Sequence, residues 1–316
     1  MNIEKIFDYA RENNISDIHL LEGEKIYFRK DGEIIEYDNN ITVSKEELLE
    51  ICNGKIEEDF AYTDSKSQRY RVNSFLTRGK LALVIRIINK EPIKLKGKFI
   101  NKLIDEKILS LKDGLVLVTG ITGSGKSTTL ANIIEKFNEN KNLKILTIED
   151  PIEYIFENKK SLIIQRELGK DVESFEKALK SSLRQDPDVI ILGEIRDEES
   201  LYSALKLAET GHLVFSTLHT MNTVESVNRL ISMVRSEKKD FIREQLASVL
   251  RFILSQELHR GKKNVPIFEI LNNTKAVANL ILNNKLNQIP TLIESGIENF
   301  MITKEKYLKN LETESD

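Results

Sequence analysis

The 316 residues include a single cysteine, Cys52, so no disulfide can form within the chain. A lone thiol fits a reducing compartment, and Cys52 itself reads as a small hydrophobe of a core. Charge of one sign is also missing. Lys and Arg number 47 against 50 Asp and Glu, for a formal net charge of −3, and no tail or block gathers either sign. A nucleic-acid binder that works through electrostatics carries a basic excess, so that class is set aside. Long apolar runs are absent as well. The longest, such as residues 115–118 and Val189–Leu192, are strand-sized, well short of the ~20 residues that cross a bilayer. The opening residues put Ile3, Ile6, Phe7 and Ala10 on one helical face but interrupt them with Glu4, Lys5 and Asp8. That pattern is a globular helix and not a signal peptide. Without repeats or low-complexity segments, a solenoid is excluded. The expectation is a cytoplasmic protein with no direct membrane insertion, reaching the inner face of the membrane only through partners.

What is present begins with a length that suits two domains. Residues 1–92 read as a small α+β domain. Strands are expected at Asp17–Leu21, 25–30 and 33–37, the last two joined by Asp31-Gly32, a strong hairpin signal. Ser44 with Glu47 three residues on forms a capping box and opens a helix carrying Leu48, Leu49 and Ile51. Two more strands follow at 68–75 and 80–88. Residues 89–98, with Pro92, Gly97 and four lysines, break both periodicities and read as a linker. Residues 93–316 form the second domain, where short apolar strands alternate with amphipathic helices in the manner of a doubly wound α/β sheet. Its strands are expected at 115–119, 144–148, 162–165, Val189–Leu192 and 213–217. Beyond Thr223 the pattern is mainly helical, apart from a strand at 266–271.

Between the first of those strands and a helix lies Gly120-Ile121-Thr122-Gly123-Ser124-Gly125-Lys126-Ser127, followed by Thr128. It matches the eight-position phosphate-loop pattern in the context that pattern requires. Gly123 and Gly125 let the backbone curl so that successive N–H groups converge on phosphate, beside the positive end of the next helix. Lys126 is expected at the β- and γ-phosphates of ATP and Ser127 at Mg²⁺. Glu194 follows the apolar strand Val189–Leu192, where a carboxylate can orient the attacking water. Arg196 and Asp197, just beyond it, suit a local salt bridge as well as they suit catalysis. Glu149 and Asp150 end another strand before Pro151. By pattern they fit either the Mg²⁺ water shell or a simple turn. His212 and His219 flank the last strand of the set, and spacing alone assigns neither to phosphate.

These segments resemble a known family, the retraction ATPases of type IV pili (the PilT group) within the secretion ATPase superfamily. The resemblance rests on Ile145-Leu146-Thr147-Ile148-Glu149-Asp150-Pro151-Ile152-Glu153, on Gln165-Arg166-Glu167-Leu168-Gly169, and on the segment from Arg184 to Asp197. It continues through Ala208-Glu209-Thr210-Gly211-His212-Leu213-Val214-Phe215-Ser216-Thr217-Leu218-His219-Thr220. They are similar to that family's Asp box, Walker B segment and His box, in its order.

The resemblance implies a homohexamer of RecA-like P-loop ATPase domains, each preceded by a PAS-like α+β domain, docking on an inner-membrane pilus platform protein. It implies Glu194 as catalytic glutamate, Glu149 near the metal and His219 near the γ-phosphate. It further implies that Arg71, Arg78 and Arg86 reach a nucleotide across a domain or subunit boundary. The implied activity is Mg²⁺-dependent ATP hydrolysis driving pilus retraction, with a pilus-extension or type II secretion ATPase as the alternative. A slow nucleotide-dependent interaction module is a third class, against which Glu194 speaks. Two stretches depart from the family. Ala276-Val277-Ala278-Asn279-Leu280-Ile281-Leu282-Asn283 keeps the Asn-Leu-Ile core of a retraction-associated helix without its charges, and the sequence beyond Gly296 diverges.

Overall fold

The computed structural model describes residues 3–13, 15–30, 32–37, 41–66, 68–88, 92, 94–259 and 264–315. Asp31 of the expected hairpin turn, residues 89–91 and 93 of the expected linker, and residues 1, 2 and 14 of the opening segment lie outside them. The chain divides into two compact units, one of Met1–Glu91 with Pro151–Ile155, the other of Pro92–Asp150 with Phe156–Asp316.

The first unit runs α1 (Ile3–Glu12), β1 (Asp17–Leu21), β2 (Tyr27–Lys30), β3 (Glu33–Glu36), α2 (Lys45–Cys52), β4 (Asp59–Thr63), β5 (Arg69–Thr77) and β6 (Lys80–Ile87). Its antiparallel sheet has the order β3-β2-β1-β6-β5-β4. Alternation puts Ile18, Leu20, Val72, Leu83 and Ile85 on one face, where they form a core with Ile6 and Phe7 of α1 and Leu48 and Ile51 of α2. Both halves of the Ser44/Glu47 capping box are formed. Strand β4 gives little sequence signal, because it is an edge strand that opens on an acidic run and buries no residue fully.

The second unit continues with α3 (Lys98–Glu106), β7 (Gly114–Thr119), α4 (Lys126–Asn140), β8 (Lys144–Glu149), β9 (Leu162–Glu167), α5 (Phe175–Ser182), β10 (Val189–Leu192), α6 (Glu198–Glu209) and β11 (Leu213–Leu218). Then come α7 (Thr223–Ser232), α8 (Lys239–Val249), β12 (Leu250–His259), β13 (Val265–Asn272), α9 (Lys275–Leu282), α10 (Ile289–Ser295) and α11 (Lys304–Ser315). The sheet order is β13-β12-β7-β11-β10-β8-β9, all parallel except β13. Helices cover both faces. Leu115 and Leu117 of β7 enter one core with α6, α7 and α8, and Val116 and Val118 enter the other with α3 and α4. Two-sided burial is why these strands read as unbroken apolar runs.

Beyond Thr223 the mainly helical expectation is corrected by β12. Its sequence, Leu-Arg-Phe-Ile-Leu-Ser-Gln-Glu-Leu-His, follows α8 without a break and carries no turn residue. What makes it a strand is tertiary: it pairs with β7 on one side and β13 on the other. Among the described residues no helix is long and apolar enough to cross a membrane.

Candidate functional site

Parallel register aligns the carboxyl ends of four strands. Thr119 of β7 lies opposite Leu218 of β11, Ser216 of β11 opposite Leu192 of β10, and Leu192 opposite Ile148 of β8. The segments leaving these ends carry the phosphate loop, His219, Glu194 and Glu149. Open α/β sheets bind ligands at such an edge.

The loop needs glycine at two positions for steric reasons. A Cβ on Gly120, at φ 151°, would lie 2.3 Å from the Gln256 carbonyl oxygen, and one on Gly125, at φ 87°, would lie 2.9 Å from Gln256 Nε2. Lys126 opens α4, and its Nζ donates to the carbonyls of Gly120 (2.8 Å) and Ile121 (3.1 Å). Ser124 Oγ is buried and finds no hydrogen-bond partner among the described residues. A left-handed glycine cap, a helix N-terminus, a lysine curled into the loop and an orphaned hydroxyl together suit an anion. Ile121, Thr122 and Gly123 are exposed, and Ser127 and Thr128 are half-buried on the first turn of α4.

Glu194 and His219 meet. His219 Nε2 is 3.0 Å from Glu194 Oε2, and Nδ1 is 3.4 Å from Thr122 Oγ1 of the phosphate loop. The tautomer that satisfies both contacts donates from Nε2 to the carboxylate and accepts at Nδ1 from the threonine hydroxyl. Burial, then the charges of Lys126 and Arg196, holds the imidazole below its ordinary pKa, which favours that neutral form. Arg196 Nε pairs with Glu194, and its Nη1 reaches Asp150 at 3.8 Å. Asp197 instead caps α6, accepting from the Ser200 amide. The backbone before Glu194 is fixed by Gly193 N donating to Ile148 O (2.9 Å) and Thr217 Oγ1 donating to Gly193 O (2.7 Å).

Glu149 ends β8 half-buried. Its Oε1 accepts from Thr147 Oγ1 (2.6 Å), two residues back on the same face, and from Gln165 Nε2 (3.2 Å) of β9. The Glu149 carboxylate and the Ser127 hydroxyl are hard oxygen donors of the type Mg²⁺ takes. Among the described residues no group of three or more His, Cys, Asp and Glu could hold a metal ion. His212 stands at the opposite end of β11, its Nδ1 3.1 Å from both Leu207 O and Thr210 Oγ1, and serves the α6–β11 turn.

The three arginines belong to the first unit. Arg71 of β5 and Arg86 of β6 are cross-strand partners. Arg71 is held by Asp59 (2.5 Å) and Arg86 by Asp17 (2.8 Å). Arg78 is exposed in the Arg78-Gly79 turn, at φ 52°.

Sequence reasoning missed Gln256, because it lies on the unrecognised β12. Its Nε2 donates to Ser124 O (2.5 Å) and its Oε1 accepts from Thr129 Oγ1 (2.6 Å). A polar residue inside an otherwise buried strand is the signal that would have found it.

A RecA-like sheet with a phosphate loop leaving β7 and a carboxylate, Glu194, leaving β10, with β11 between the two strands, defines a P-loop nucleoside triphosphatase fold. The family model "Type II/IV secretion system protein" matches residues 1–285, and the chain belongs to that family. It is 42% identical over 285 residues to the twitching motility protein of Neisseria gonorrhoeae, covering 87% of this chain and 75% of the relative. It is 40% identical over 318 residues to the uncharacterised protein YggR of Escherichia coli K12, covering 96% of each. The crystal structure of the pilus retraction motor PilT with bound ADP superposes with a TM-score of 0.82 at 35% identity, covering 98% of this chain and 97% of that one. The resemblance to the retraction ATPases is thereby borne out.

Proposed function

We propose that this chain is the subunit of a hexameric, Mg²⁺-dependent ATPase that powers type IV pilus retraction from the cytoplasmic side. The observation that carries the reading is His219, which joins Glu194 to Thr122 of the phosphate loop. A water-activating carboxylate is thus tied to the element that receives the γ-phosphate.

In the reaction, N–H groups of residues 120–128 and the N-terminus of α4 receive the triphosphate, and Lys126 exchanges its two loop carbonyls for phosphate oxygens. Glu194 orients the attacking water and takes up its proton. His219, neutral, transmits the state of the γ-phosphate side to Glu194, and Arg196, paired with that carboxylate, holds it in place. Mg²⁺, held by Ser127 and through water by Glu149, would supply charge neutralisation on the phosphates. Arg71, Arg78 and Arg86 are the candidates for a planar cation acting on a neighbouring subunit's nucleotide. The docking partner would be the inner-membrane platform of the pilus.

Purified full chain should hydrolyse ATP, and Lys126→Ala or Glu194→Gln should lower turnover on the order of 10²-fold or more. Full activity in Glu194→Gln would remove that residue from the water-activating role. Deleting the gene separates the reading from an extension or type II secretion motor. Loss of a retraction motor leaves surface pili in place but immobile, whereas loss of an extension motor leaves the cell bald.

A further inference from the structure

The backbone two residues beyond His219 is gripped from three directions. Met221 N donates to Glu225 Oε2 of α7 at 2.8 Å. Its carbonyl accepts twice, from Ser255 Oγ of β12 at 3.0 Å and from Lys304 Nζ of α11 at 2.9 Å. The next contact upstream, Thr220 Oγ1 with Ser226 Oγ at 2.7 Å, continues at 3.2 Å to Thr119, the residue before the phosphate loop. Lys304 is the only charged group on the Met221 carbonyl among the described residues, and it comes from a segment beyond the family match, which ends at residue 285.

Lys304 is itself rigidly placed. Ile302 pairs with Ile270 of β13 through bonds of 2.9 and 3.2 Å, which sets the register of the chain entering α11. One turn on, Tyr307 is buried edge-on against Phe268, their centroids 5.3 Å apart. The ammonium is shared with Glu257 Oε2 at 3.0 Å, and the side chain is only 19% exposed. A shielded charged donor on a carbonyl is a stronger restraint than a neutral one.

We propose that Lys304 is a positioning residue for ATP hydrolysis: by holding the Met221 carbonyl it fixes the path of the 219–222 loop and so keeps the His219 imidazole between Glu194 and Thr122. The inference rests on the hydrolytic reading of the site given above. Lys304 touches none of the reacting groups, so its effect must pass through His219. Ground-state nucleotide binding depends on the phosphate loop, which Lys304 does not contact. The signature is therefore a loss in kcat with KM nearly untouched.

The test is a cycle in the full-length protein comparing wild type, Lys304→Met, His219→Ala and the double variant, with Lys304→Arg as the conservative rescue. Lys304→Met should lower kcat roughly 10- to 100-fold, the range for a lost charge-assisted hydrogen bond, with KM for ATP changed by less than about twofold. Lys304→Arg should recover most of the loss, and adding Lys304→Met to His219→Ala should cost nothing further. Hydrogen exchange at the Met221 and Thr223 amides should quicken in Lys304→Met whatever the turnover. An unchanged kcat, or losses that add in the double variant, would overturn the proposal. Should Lys304→Met fail to fold, Lys304→Gln carries the same cycle with the same deciding outcomes. If the wild type hydrolyses no ATP while exchange still responds to Lys304, the hydrolytic reading fails and the loop restraint stands.

Discussion

Thr129 and Gln256 are 127 positions apart in the chain and 2.6 Å apart as hydroxyl and amide oxygen. With the amide nitrogen on Ser124 O, one buried side chain from β12 closes a ring behind the phosphate loop. Gln256→Leu would leave the Ser124 carbonyl and the Thr129 hydroxyl buried without those partners, at about 1–3 kcal/mol each. The expected result is a lower Tm by calorimetry and weaker ATP binding by titration. Gln256→Glu keeps the acceptor for Thr129 but sets an oxygen against the Ser124 carbonyl. It should bind ATP worse than Gln256→Leu relative to its stability loss. Equal binding in both variants would reduce Gln256 to a packing role.

How far the sequence revealed this site depends on how local each signal was. Gly120 to Ser127 was legible because the loop's geometry is written into consecutive residues. The strand-end positions of Glu194 and Glu149 were legible because each follows an apolar run, but pattern alone left Glu149 between a metal's water shell and a simple turn. The pairing of His219 with Glu194 needed the strand order, which places β11 beside β10 and which no local pattern contains. Gln256 and Lys304 were out of reach for a further reason. Leu250–His259 is a strand only because β7 and β13 flank it, and Lys304 matters only once Ile302 is registered on β13.

The titration of His219 has a definite sign. Burial first, then the charges of Lys126 and Arg196, lowers its pKa from 6.5. An unfolded chain takes up the proton more readily than the folded one, so protonation of this residue opposes folding as pH falls below 6.5. For turnover, the neutral imidazole should persist at pH 6.5, where an ordinary histidine is half protonated. The acid limb of kcat assigned to this residue should lie below that value and vanish in His219→Gln. An acid limb centred at or above 6.5 would contradict the neutral role.

In the first unit, Asp64 is buried and accepts from the Gln68 amide (2.7 Å), Tyr70 Oη (2.9 Å) and the Arg11 guanidinium. Burial raises its pKa, but the bonds from Gln68, Arg11 and Tyr70 outweigh it, and the net shift is downward from 3.8. A depressed carboxylate contributes stability that is present above the unfolded pKa and is lost as pH falls through the folded one. Asp64→Asn removes the buried charge facing Arg11, which keeps Tyr70 and Asp8 as partners, and should destabilise by about 2 kcal/mol, the scale of a hydrogen bond to a charged group. It should also flatten the loss of Tm below pH 4. Thermal unfolding of both proteins across that acid range decides it, and parallel curves would mean that other carboxylates dominate.

The last prediction separates the three arginines. Arg71 and Arg86 are engaged by Asp59 and Asp17, and moving either to a phosphate would strand a carboxylate. Arg78 sits exposed in a hairpin turn, with no ion pair among the described residues. A guanidinium that must act on another subunit's phosphate is best left uncommitted in its own, so Arg78 is the one expected to act in trans. Arg78→Ala should lower turnover on the order of 10³-fold, as for an arginine that stabilises transferred phosphoryl charge, with ATP binding retained. Arg71→Ala and Arg86→Ala should act mainly on stability. Specific activity should rise with protein concentration. Mixing Lys126→Ala with Arg78→Ala subunits should restore part of it, because some interfaces then hold an intact phosphate loop facing an intact Arg78. No recovery on mixing, at concentrations where wild type is fully active, would place Arg78 in cis or outside the reaction.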